Sequence, residues 1–273
     1  MRVYISADME GVAGVVTGDQ LVPEGFEYAQ AREQMTREVL AAVEAVLAAG
    51  AEEVVVSDSH GNGQNLVPAL LPPQVTLVRS WPRPRGMMSG LETGEFACAF
   101  LMGYHASASN PAGTLAHTMS SRALIELRIN GRPASEALLS AAMAGELGCP
   151  VALVTGDDVF LEEVSDVLPA AEKVQTKVAC GMFSARCRPP AEVVADIAEH
   201  ARRAMTRLGE FAPLRLEAPL QVELCLKSRL AVEYASYLPG VTRTGAHSFT
   251  FEAADAASLD AQLSFFLNYR PDL

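Results

Sequence analysis

The stretch Arg2-Val3-Tyr4-Ile5-Ser6-Ala7-Asp8-Met9-Glu10-Gly11 opens with an apolar run and ends in two carboxylates. Side chains alternate along an extended strand, so Asp8 and Glu10 project to the same side at its carboxyl end. Carboxylates held that close repel each other unless a cation or a proton lies between them. The run therefore predicts both a strand and a site at its end.

Working outward, strand signals recur at Arg2–Ala7, Glu53–Ser57, Val75–Arg79, Ala97–Tyr104, Ile125–Ile129 and Val151–Thr155. Helical segments lie between them: Tyr28–Ala49 closed by Gly50, and Pro133–Leu147 opened by its proline and closed by Gly148. This alternation predicts an α/β fold with a largely parallel central sheet and helices on both faces. Further on, strands are expected at Lys173–Ala179, Leu220–Leu226 and Ser248–Glu252, with helices at Pro190–Leu208, Leu230–Tyr237 and Ala257–Leu267. Residues 1–169 are read as a metal-binding catalytic region and 170–273 as a smaller C-terminal α/β lobe; a single domain is the alternative.

Composition narrows the function. A net charge of −12 argues against nucleic acid and anionic membranes as partners, because both require a basic face. The five cysteines are odd in number and never two residues apart, as expected of reduced thiols in a cytoplasmic protein rather than a zinc ribbon. No secretory leader is visible, and the most apolar helical stretch carries Glu44 and is too short to span a bilayer.

In open parallel sheets, ligands bind beyond the carboxyl ends of the strands. Those ends carry Asp8 and Glu10, then Ser57-Asp58-Ser59-His60, then Gly103-Tyr104-His105, then Thr155-Gly156-Asp157-Asp158. Of five histidines, His60, His105 and His117 fall at or just after strand ends, while His200 and His247 lie in a helix and a late loop. Carboxylate oxygen mixed with imidazole nitrogen suits zinc or a similar divalent ion. A further acidic residue from elsewhere would let the site hold two ions: with one bridging carboxylate, five ligand residues give three contacts to each and leave each open to solvent or substrate.

Taken together, Asp8-Met9-Glu10-Gly11, Ser57-Asp58-Ser59-His60, Gly103-Tyr104-His105-Ala106, His117-Thr118-Met119, Ile129-Asn130-Gly131-Arg132-Pro133 with Glu136, and Gly156-Asp157-Asp158 make the chain resemble the self-compartmentalising zinc D-aminopeptidases over essentially its full length. The resemblance implies two zinc ions per chain, with Asp8 bridging, Glu10 and His105 completing one site, and His60 and Glu136 the other. It makes His117 the catalytic histidine, as nucleophile or base. Physical chemistry favours metal-activated water, with His117 as proton shuttle. The resemblance further implies a short peptide substrate and a ring-like homo-oligomer, with a decamer as the expected size.

Several positions keep two readings. Asp58 and Ser59 either orient the His60 ring or stabilise a turn. One of Asp157 and Asp158 is expected to cap a helix, the alternative being an anchor for a substrate ammonium. Trp81-Pro82-Arg83-Pro84-Arg85 reads as a solvated loop or as a greeter of a substrate carboxylate. As whole-protein alternatives stand another dinuclear metal hydrolase (amidase or phosphoesterase), and a non-catalytic metal- or peptide-binding protein.

Overall fold

The computed structural model describes residues 1–269. In chain order the strands and helices are β1 (Arg2–Ala7), α1 (Tyr28–Ala48), β2 (Glu53–Asp58), β3 (Val75–Val78), β4 (Cys98–Met102), β5 (Leu124–Ile129), β6 (Arg132–Pro133), α2 (Glu136–Glu146), β7 (Val151–Asp157), α3 (Asp158–Ser165), β8 (Glu172–Gly181), β9 (Ser184–Cys187), α4 (Pro190–Thr206), β10 (Leu220–Leu226), α5 (Arg229–Ala235), β11 (Thr242–Arg243), β12 (Ser248–Ala253) and α6 (Ala256–Asn268).

The main sheet has the order β3-β2-β1-β4-β7-β8-β9, parallel except for the antiparallel edge strand β9. The chain lays β1, β2 and β3 outward in one direction, then returns to place β4, β7 and β8 in the other. The switch point is therefore between β1 and β4. Covered on both faces, β1 buries Val3, Tyr4, Ile5, Ser6 and Ala7 alike, as a central parallel strand should. On one face α1 offers Met35, Val39, Val43 and Val46, and α4 offers Val193, Ile197 and Ala201, stripes at helical spacing that meet Val3, Ile5, Val54 and Val56. The other face carries Tyr4 and Val55 under α2, α3 and a second sheet.

That second sheet is antiparallel, with the order β11-β12-β10-β5-β6. Two expectations change here. The strand expected at Ile125–Ile129 does not join the parallel sheet; it buries Leu127 and Ile129 between half-buried Glu126 and Arg128, the alternation of a strand wetted on one face, and a register irregularity at exposed Ile125 lets Leu124 be buried as well. Conversely, β8 extends the main sheet beside β7. Each sheet thus draws strands from both sides of residue 170, and the chain divides between sheets by interleaving, not at residue 169. Residues 270–273 of the expected lobe lie outside the described residues. Pro133 sits in β6, and the helix it was expected to open begins three residues later, capped by Ser135, whose Oγ accepts from the Leu138 amide at 3.2 Å.

Candidate metal centre

The site forms where β1 and β4 end side by side. The Asp8 amide donates to the Met102 carbonyl at 2.8 Å and the Gly11 amide to the Gly103 carbonyl at 2.7 Å. A Cβ at Gly11 would lie 2.1 Å from the Tyr104 carbonyl oxygen, and one at Gly103, where φ is +70°, would lie 2.2 Å from that of Asp8. Both glycines are needed for the two main chains to pass this closely.

Around this contact the structure gathers Asp8, Glu10, His60, His105 and Glu136, each at most 7% exposed. His60 Nδ1 is 3.0 Å from Glu10 Oε2 and 3.3 Å from Asp8 Oδ1. His105 Nε2 is 3.5 Å from Asp8 Oδ2 and 3.4 Å from Glu136 Oε1. Two donor triads result, Asp8–Glu10–His60 and Asp8–His105–Glu136, each with ligand atoms within 4.8 Å of one another. Asp8 belongs to both. In this arrangement β2's end brings His60 to Glu10, and α2's first turn brings Glu136 to His105, whereas the resemblance implies Glu10 with His105 and His60 with Glu136. A further triad joins Glu10 and His105 to His117. The His117 ring stacks on His105 at 4.1 Å, and its Nε2 lies 3.8 Å from Glu136 Oε1 and 3.9 Å from Glu10 Oε1. With its side chain 20% exposed, His117 stands at the mouth of the cluster.

Each imidazole has one nitrogen tied to a main-chain carbonyl: His60 Nε2 to Leu21 at 2.9 Å, His105 Nδ1 to Ala106 at 3.0 Å and His117 Nδ1 to Leu115 at 2.9 Å. A carbonyl only accepts, so that nitrogen carries the proton and the other faces the cluster. This is how metal-binding histidines are oriented. Among the described residues, buried Asp8 Oδ2 and His105 Nε2 have no hydrogen-bond partner, although a buried unpaired charge costs several kcal/mol. The donor set and its orphaned atoms fit a divalent cation.

Without one, the cluster holds protons. Burial, then the charge of Glu10, pushes Asp8 up to about 8. Burial opposes the His105 cation, but Glu136 and the other carboxylates outweigh it and raise the ring to about 10. His60 rises in the same way against burial, through Glu10 and Asp8, while Glu10 stays well below the usual carboxylate range because the His60 charge overcomes its burial. Imidazolium protons stand where metal charge would.

The surrounding residues sort differently from their sequence readings. Asp58 spends its carboxylate on the Asn65 amide at 2.6 Å, the Leu66 amide at 2.8 Å and Asn65 Nδ2 at 2.8 Å, closing the loop that follows His60 rather than touching the ring. Ser59 joins a buried hydroxyl chain: its Oγ is 2.9 Å from Ser6 Oγ, which is 2.7 Å from Tyr104 Oη, itself 3.1 Å from Ser140 Oγ. The chain links the four elements that carry the ligands. Asp157 caps α3 through the Phe160 amide at 2.7 Å and accepts from the Thr114 amide at 2.8 Å, tying the His117 loop, while Asp158 accepts from the Ala179 amide at 2.7 Å. Glu163 holds the same loop through the Ser107 amide at 3.1 Å and Asn110 Nδ2 at 2.9 Å.

Arg83 is turned inward, donating to Ser57 Oγ and the Asp58 carbonyl at 2.9 Å, with Trp81 stacked over it and donating to the Gly61 carbonyl. That segment is a strap on the His60 loop, not a free basic surface. The carbonyl partners of the histidines, Ser140 and Glu163 carry no signal in the sequence, whereas Tyr104 stands beside His105 at a strand end and Lys177 is a lysine inside an expected strand.

A buried carboxylate–imidazole cluster at the switch point of an open parallel sheet defines the class: a metal-binding α/β enzyme. The family model Peptidase_M55, D-aminopeptidase, matches residues 1–264. A D-aminopeptidase of Bacillus subtilis (strain 168) is 30% identical over 257 residues, covering 93% of this chain and 92% of that protein. The solved structure described as the Zn-dependent D-aminopeptidase DppA from Bacillus subtilis, a self-compartmentalizing protease, superposes with a TM-score of 0.89 at 29% identity, over 98% of this chain and 99% of that one. The chain belongs to the D-aminopeptidase family, Peptidase_M55.

Proposed function

We propose that this protein is a dinuclear zinc aminopeptidase that removes N-terminal D-amino acids from short peptides. The observation that carries it is the shared position of Asp8 between two donor triads. Asp8, Glu10 and His60 would hold one ion, and Asp8, His105 and Glu136 the other. Zinc bound there supplies Lewis acidity toward a peptide carbonyl and water. The name of the structural relative, Zn-dependent, supports that choice of metal.

The chain's own residues do the rest. Asp8 and Glu10, fixed by the β1–β4 contact, set the spacing of the donors. His117 Nε2 faces the cluster with its lone pair, because Nδ1–H is committed to the Leu115 carbonyl. It accepts a proton from the attacking water and delivers one to the departing amine. Its partial exposure lets it reach substrate, which the more deeply buried ligands cannot do. The relative's description as self-compartmentalizing supports a ring-like homo-oligomer, a decamer being the expected size, that restricts entry to short peptides. We place the enzyme in the cytoplasm, where its five cysteines would stay reduced; among the described residues no helix is long and apolar enough to cross a membrane.

Paired assays of D-Ala and L-Ala p-nitroanilides, with metal analysis on the same sample, test the reading. About two zinc ions per chain and hydrolysis confined to the D-substrate are expected. Full activity in a metal-free preparation, or preference for the L-substrate, would sink it.

A further inference from the structure

The loop after β1 is gripped by two consecutive residues of β8. Thr176 Oγ1 donates to the Gly11 carbonyl at 2.6 Å. Lys177 Nζ donates to the carbonyls of Glu10, Val12 (3.1 Å) and Val15 (2.6 Å). Neighbours in a strand normally face opposite ways, yet both side chains reach carbonyls of the same loop. A register shift accounts for it: Gly156 lies opposite Gln175 but Asp157 opposite Lys177, so Thr176 is an extra residue, and such irregularities re-aim side chains beside active sites.

An ammonium has three N–H donors and no acceptor, and here three main-chain carbonyls take all three. Converging carbonyls are also the ligands by which proteins replace the hydration shell of small monovalent cations. Burial disfavours the charged form of the lysine, and the nearby Asp157 and Glu10 oppose that. One of the three carbonyls belongs to Glu10, a residue of the donor cluster, so the lysine holds the main chain from which that ligand projects.

We infer that the Lys177 side chain is a built-in monovalent cation, seated in a carbonyl cage of Glu10, Val12 and Val15, and that it positions Glu10 for metal binding. Lys177 is a positioning residue, and the cage it fills is a latent site for ammonium or potassium. The inference rests on the ligand set proposed above. It predicts that the charge and its three donors matter, and that a free cation of similar size can replace them.

Zinc affinity, measured by competition with a chromophoric chelator, separates the possibilities. Lys177→Met keeps the volume of the stem and removes the ammonium; zinc should bind about 10–100-fold more weakly, the scale on which supporting residues tune a metal site. Lys177→Ala opens the cage, and ammonium or potassium chloride should recover most of the lost affinity, whereas tetramethylammonium chloride at the same ionic strength should not. Wild-type affinity in Lys177→Met would overturn the inference. So would recovery of Lys177→Ala by all three salts, which is an ionic-strength effect, or by none, including a variant unfolded in every salt. Wild-type protein that holds no zinc would instead overturn the metal-site reading itself.

Discussion

The site draws its residues from two kinds of structure. Asp8, Glu10, His60, His105 and Glu136 sit at strand ends or on a helix's first turn, buried and braced by main-chain contacts such as that between Gly11 and Gly103. His117 sits on a loop held by side chains reaching in from α3 and its cap, Asp157 and Glu163, and it is the more exposed. The difference separates two tasks. Holding cations at a fixed spacing needs a stiff frame, whereas a group that passes protons to substrate must face the entrance.

Replacing parts of each region tests whether that separation is real. The largest effect is expected at the frame: Asp8→Ala removes a donor from both triads, and atomic analysis should find neither ion retained, with activity reduced by more than about 10⁴-fold. On the loop, His117→Ala should lower kcat by about 10²–10⁴-fold with metal content unchanged. Loss of metal in that variant would make His117 a ligand and erase the distinction.

Charge in the frame gives a third test. In the stripped protein His105 is raised from 6.5 to about 10, so its contribution to stability is full below about 6.5 and lost as pH rises through about 10. Asp8, raised to about 8, works in the same direction: its burial is better tolerated protonated. The Tm gap between zinc-loaded and stripped protein should therefore widen from pH 6.5 to 10. A constant gap would mean that metal does not replace these protons.

The finest contrast comes from conservative changes in the braces. Asp157 uses one oxygen on Phe160 and the other on Thr114, and an asparagine keeps one acceptor oxygen. Asp157→Asn should lower kcat by about tenfold and change zinc affinity less than Lys177→Met does, while Asp58→Asn, which loosens the His60 loop, should weaken zinc by about tenfold and leave kcat alone at saturating metal. Equal effects of both variants on both quantities would show that frame and loop act as one body.

Much of this was readable from the chain because strand ends are marked. The apolar runs at Val3 to Ala7 and Val54 to Val56 stop at Asp8 and Asp58, and the switch-point rule turns those stops into a site. The β1, α1 and β10 spans follow from local pattern. Which sheet a strand joins did not follow: Leu124–Ile129 pairs with β10, almost a hundred residues away, and only its alternation hinted at a wet face. The nearness of His60 to Glu10 and of Glu136 to His105 was likewise hidden, since it depends on the angle at which α2 presents Glu136. Main-chain carbonyls that fix the histidines carry no sequence signature, and Lys177 takes its meaning from an irregularity between two strands.

The glycine contact between the ends of β1 and β4 has a consequence for how the centre tolerates change. The main-chain separation of Asp8 from His105 is set by a hydrogen-bonded contact between two peptide chains rather than by packed side chains. Repacking of neighbouring side chains acts on that separation only through the backbone. A single added methyl group at either glycine would act as a spacer, prying the two halves of the centre apart without removing one ligand.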